Sequence, residues 1–124
     1  MIRWLIAFAF TQAVEMPIYM RALKGRPGVA FGASAITHPI VWFVIPRAWV
    51  HLYLAMIAFR PELIIRSPTA RYVSMVLLAE SFAVIVEAIY LRAWGLRRAL
   101  AWSLLVNGAS VTLGLLSRAL FGWP

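Results

Sequence analysis

The sequence has no cysteine and no aspartate, and its 124 residues carry only four acidic side chains. Without cysteine there is no disulfide, no thiolate metal site and no cysteine nucleophile, and the redox compartment stays open. Charge of either sign is scarce, at 13% of residues against roughly 25% in soluble domains, while 64% are hydrophobic against roughly 45–50%. A soluble domain of this size would expose much of that apolar surface, so the bilayer is its natural surrounding. No H-E-x-x-H pair, serine–base arrangement, RNA-binding motif or basic amphipathic helix is present. The net charge of +8 therefore points to anionic lipid headgroups and away from nucleic acid.

What charge there is follows a pattern. Every Lys and Arg, from Arg3 to Arg118, falls at an end of an apolar run or between runs, as expected of snorkelling and topology signals. Glu15, Glu80 and Glu87 fall inside runs, and Glu62 alone lies in a connection.

The apolar runs predict an all-α polytopic transmembrane bundle of four helices, with spans over residues 4–20, 29–45, 71–92 and 99–121 in a single integral membrane domain, 1–124. MIRWLIAFAF lacks a small-residue cleavage site and is interrupted by Gln12 and Glu15, so it is expected to be kept as the first span. The run at 48–59 is too short to span comfortably and is bounded by Arg47 and by Arg60-Pro61. With Trp49, His51 and Tyr53 near its start, it reads as a short interfacial or re-entrant helix between spans two and three. The chain is expected to end at Trp123-Pro124 without a soluble tail. The short turns carrying Arg21, Lys24, Arg26 and Arg92, Arg97, Arg98 belong inside by the positive-inside rule, which puts both termini on the outer side of a cell (inner) membrane.

Polar residues inside the spans are the candidate site. On the first span Gln12, Glu15 and Tyr19 share a face, and Pro17 frees the carbonyl of Ala13. On the second, Gly32, Ser34, Thr37 and His38 form a small and polar half ahead of Pro39. Glu80 and Glu87, seven residues apart, share a face of the third span. Ser103, Asn107, Ser110, Gly114 and Ser117 make a stripe down the last, in which Ser110 and Gly114, with Gly32, read as helix-packing positions. At 1.5 Å per residue from the cytoplasmic ends, Glu15, Glu87 and Ser103 lie about 7–9 Å deep, His38 and Asn107 about 13 Å, and Glu80 about 18 Å.

A charge at the bilayer centre costs about 2.5–3.5 kcal/mol, and Lys and Arg stand only near the span ends, with none in the interior to pair with these acids. They must be protonated, share a proton, or hold a cation. The candidate proton- or ion-binding residues are thus Glu15, Glu87, His38, Glu80, Asn107, Thr37 and Ser103. Glu15, His38 and Glu87 are also candidate ligands of a divalent cation, which would be the only cofactor. Four short helices make a thin pathway, so a homo-oligomer or a larger membrane complex is expected. Two alternatives stand beside proton or cation binding: a small structural subunit of such a complex, and an intramembrane metal-dependent hydrolase. Catalysis is the less favoured expectation.

The combination Glu15-Met-Pro17, Thr37-His38-Pro39 with Trp42, Glu80 and Glu87, then Ser103, Asn107, Ser110 and Gly114 resembles a group of uncharacterised four-span membrane proteins of bacteria and archaea. That resemblance covers most of the chain outside 47–70 and implies four spans but no activity. A fainter similarity is to the CAAX protease and bacteriocin-processing family. Glu87 and Arg92 have that family's separation and Asn107 lies on a later helix, but Ala88 stands where a second glutamate belongs and His38 precedes Glu87.

Overall fold

The computed structural model describes residues 1–122, so Trp123-Pro124 and the expectation for the chain's end lie outside the described residues. Helices α1 (Ile2–Ala22), α2 (Pro27–Pro39), α3 (Ile45–Phe59), α4 (Pro68–Ala93) and α5 (Ala99–Phe121) account for most of it. Pro27 and Pro68 open their helices where a missing N–H costs nothing, and the Ser67 hydroxyl caps α4 by accepting from the Ala70 N–H at 3.3 Å. The turn after α1 reverses through Lys24 (φ 53°) and Gly25 (φ 83°). The turn after α4 uses Gly95 (φ 85°) and Arg98 (φ 57°), left-handed conformations that glycine supplies at little cost.

The all-α, four-helix class read from the sequence is the fold observed, with one difference in its second quarter. Residues 48–59 lie in a short helix, α3, as expected, but it is continuous with α2 and not set apart from it. A five-residue π-helical turn, Ile40–Val44, joins α2 to α3, and Pro27–Phe59 is one helical stretch of 33 residues. Pro39 and Pro46 each lack the N–H that an α-helical ladder needs, and between them the ladder shifts to wider hydrogen bonds and carries on. At 1.5 Å per residue the stretch is about 50 Å long, against about 30 Å of hydrocarbon. A 3₁₀ turn, Pro61–Leu63, leads back toward α4, where the Tyr53 hydroxyl donates to the Ile65 carbonyl at 3.2 Å and the Arg71 guanidinium lies 5.0 Å above the Tyr53 ring.

Helix packing closes a ring. α1 packs on α2 and α5, and α4 packs on the same two, so the order α1–α2–α4–α5 surrounds a common axis. The ring encloses a polar cluster beside an apolar core and presents large apolar side chains outward. Glu87 is 1% exposed while Ile89, two residues on, is 66% exposed. Pro27–Phe59, α4 and α5 are each long and apolar enough to cross a membrane. The 21 residues of α1 carry Gln12 and Glu15 among their apolar neighbours, and Glu15 faces inward. By length and composition this is a multi-pass membrane protein.

At the end of the ring carrying the two short turns, Tyr19, Leu23, Ala30, Ala33, Leu91, Leu96, Ala99 and Val106 form the apolar core. There Gly32 lets α2 approach α4 closely, because a Cβ at that position would collide with the Tyr90 hydroxyl. The opposite half of the ring is less tightly filled.

Candidate functional site

Glu87 is where the four helices of the ring meet chemically. Its Oε2 accepts from the Tyr19 hydroxyl of α1 at 2.5 Å and from the Asn107 amide of α5 at 2.7 Å, and its Oε1 accepts from the Thr37 hydroxyl of α2 at 2.8 Å. Each of the three donors comes from a different helix. A hydrogen bond to a charged group contributes about 1.5–3 kcal/mol, so two of the three already offset the cost of placing a carboxylate at this depth.

Each donor is itself fixed in place. Asn107 Nδ2 also donates to the Ser103 carbonyl at 3.0 Å, one helical turn back, and Ser103 Oγ donates to the Val84 carbonyl of α4 at 2.9 Å. Ser103 therefore joins α5 to α4 beneath Asn107 instead of facing Glu87 itself. Thr37 Oγ1 has the carbonyls of Ser34 at 3.3 Å and Ala33 at 3.4 Å within reach as alternative acceptors. Beside this network the Ser34 hydroxyl donates to Glu15 Oε2, which couples α2 to α1 a second time. About one turn before Glu15, Gln12 Nε2 donates to the Phe31 carbonyl at 3.3 Å.

A cavity of about 670 Å³ lies along the ring axis. Glu15, Glu87, Thr37 and Asn107 form its deep end, Ser110 and Gly114 lie along its wall, and it reaches Arg3 and Arg118 at the end bearing the chain termini. Glu80 lies on the wall between these levels and makes no hydrogen bond among the described residues. It also borders a second cleft of about 280 Å³ between the π turn and α4, which shares Val41, Trp42, Tyr72 and Glu80 with the first.

His38 takes part differently. Its ring sits among Phe8 (5.2 Å between centroids), Trp42 (5.9 Å) and Trp4 (6.1 Å), and its Nε2 is buried without a hydrogen-bond partner. Among the described residues no three His, Cys, Asp or Glu side chains are grouped as metal ligands, so Glu15, His38 and Glu87 are not gathered around one point. Glu15 and Glu87 are engaged by hydroxyl and amide donors, whereas His38 is engaged by aromatic rings.

Of the candidates named from sequence, Thr37 and Asn107 each donate to Glu87, Ser103 supports Asn107, and Glu15, Glu80 and His38 share their cavity. Two participants were not singled out as site residues. Tyr19 lies four residues after Glu15 on the same helical face, a spacing that signals a shared environment. Ser34 lies one turn before Thr37 and His38 on α2, and both of its neighbours face the ring axis.

No protein-family model matches this chain, and neither a curated protein nor a solved structure matches it.

Proposed function

We propose that the protein binds a proton or a small cation at the Glu87–Glu15 cluster and moves it between the cavity and the opposite face of the membrane. The observation that carries this reading is the reversibility of the donors on Glu87. Tyr19 and Thr37 are hydroxyls, which donate to a carboxylate and accept from a carboxylic acid with little movement of heavy atoms. When Glu87 takes up a proton, the Thr37 hydrogen turns to the carbonyl of Ser34 or Ala33, already 3.3 and 3.4 Å away. Such a network tolerates both charge states of one carboxyl group, as a proton relay requires and a fixed ion pair does not. The same reversibility favours a proton over a metal ion as the species bound.

Access in this reading is one-sided. The cavity leads from the acids to Arg3 and Arg118, whereas Tyr19, Leu91 and Val106 close the other end and must part for passage. Residues 1–124 act as one integral membrane domain, with the basic turns inside and both termini outside, in an oligomer or a larger membrane complex. The test is proton uptake into proteoliposomes under an imposed gradient. Wild-type flux is expected to exceed that of empty vesicles, and Glu87→Gln to lower it about tenfold or more. Equal flux in wild type and variant, or none above empty vesicles, contradicts the proposal.

A further inference from the structure

The axial cavity and the cleft beside it meet at a wall built from Val41 and Trp42 on the π turn and Tyr72 and Glu80 on α4. We infer that this wall is a lateral portal through which a membrane-dissolved amphiphile with an ammonium head group places that head in the acid cavity, its chain lying in the cleft between α2–α3 and α4. The ligand is recognised by charge and by shape.

Three observations carry it. The cavity walls hold Glu80, Glu15 and Glu87 with no Lys or Arg short of the outer end, where Arg3 and Arg118 stand. An ammonium head matches the interior, and the two arginines disfavour its approach from water, which leaves the route from lipid. His38 also lines the cavity, and its ring, packed beside Phe8 and Trp42 at 5.2 and 5.9 Å between centroids, extends the aromatic surface of the wall. Finally, the portal is aromatic where a cation would pass. Trp42 and Tyr72 are 41% and 56% exposed, and their ring faces attract ammonium groups.

The local backbone suits the purpose. A π turn is a frequent mark of functional sites within a helix, and here it holds Val41 and Trp42 at the junction of the two cavities. A volume of about 670 Å³ lies in the range of small-ligand pockets, about 300–1,000 Å³, and the adjoining cleft is lined chiefly by apolar side chains such as Ile45, Met75 and Val76. A fatty acid has the wrong charge for this cavity, and a neutral alcohol lacks the attraction to three carboxyl groups. The inference rests on the acid cluster being a binding site, but not on its carrying protons.

The experiment uses the whole protein in proteoliposomes and a photoactivatable long-chain primary amine, with the alcohol and the fatty acid of equal chain length as comparisons. Adducts are mapped by mass spectrometry. The amine is expected to label Val41, Trp42 and Tyr72 about tenfold more than the fatty acid does, with the alcohol between them. Glu87→Gln and Glu80→Gln are each expected to lower that labelling about fivefold or more, while adducts on the outward residues Leu104 and Leu116 stay constant. Glu80→Gln keeps the test meaningful if Glu87→Gln unfolds the bundle, since Glu80 makes no hydrogen bond among the described residues. Equal labelling by the fatty acid, adducts confined to outward faces, or portal labelling indifferent to both substitutions overturns the inference. Loss of the amine signal alongside intact proton flux overturns the amphiphile and leaves the proton reading standing.

Discussion

The Tyr19 hydroxyl and the Glu87 carboxylate, 68 residues apart in the chain, meet at 2.5 Å with both side chains buried. The contact ties the first helix of the ring to the third across the axis, although α1 and α4 are not neighbours in the ring. Removing the hydroxyl alone tests it. Tyr19→Phe keeps the ring and is expected to destabilise the protein by about 1–3 kcal/mol, read from unfolding in mild detergent. A variant as stable as wild type would mean the bond is not made.

Thr37 separates shape from hydroxyl chemistry. Thr37→Val is nearly isosteric but can neither donate to Glu87 nor turn to Ser34 and Ala33, so a stability loss of about 1–2 kcal/mol is expected together with reduced proton uptake. Thr37→Ser retains the hydroxyl and should keep most of both. If valine and serine behave alike, the hydroxyl has no part in the site.

Gly32 is a matter of space. An added Cβ would collide with the Tyr90 hydroxyl, so Gly32→Ala is expected to cost about 1–3 kcal/mol by overpacking. Combining it with Tyr90→Phe removes the colliding atom, and the double variant should be more stable than the sum of the single effects predicts. Strict additivity would place the cost elsewhere.

Outside the spans, Arg60 donates to Glu62 and holds its carboxyl below the ordinary range. A depressed carboxyl contributes stability above its unfolded pKa and loses it as pH falls through the folded pKa. Both side chains are exposed, so solvent screens the pair. Glu62→Gln is expected to leave the thermal midpoint unchanged at neutral and acidic pH, and a clear fall at neutral pH would contradict this.

Much of this arrangement was legible in the sequence because lipid imposes a simple rule. Glutamates cannot sit in hydrocarbon unattended, so the polar residues of the other apolar runs are the partners to look for. Counting 1.5 Å per residue puts Glu15, Glu87 and Ser103 near one level with Asn107 about one helical turn deeper, and Asn107 is indeed bonded to Glu87. Other features were hidden for identifiable reasons. Tyr19 shares a face with Glu15, but its partner is Glu87 on another helix, and Ser34 is of a type that also bonds back to its own helix, so neither bond follows from spacing alone. The second span reads as ending at residue 45, and only the three-dimensional fold reveals that a π turn joins α2 to α3 there. The surroundings of His38 depend on the rotation of α1 about its axis, which sets Trp4 and Phe8 beside the ring. Glu80, without a partner at its depth, finds its place through the cleft between the π turn and α4, which no linear pattern encodes.

The central claim is that Glu87 takes up and releases a proton inside the ring, and infrared spectroscopy of the carboxyl groups in proteoliposomes addresses it directly. As pH is lowered, a carbonyl band of protonated carboxylic acid should grow in the wild-type difference spectrum. The Glu87→Gln spectrum should lack a distinct component of that band. Superimposable wild-type and Glu87→Gln difference spectra across the titration would contradict the account.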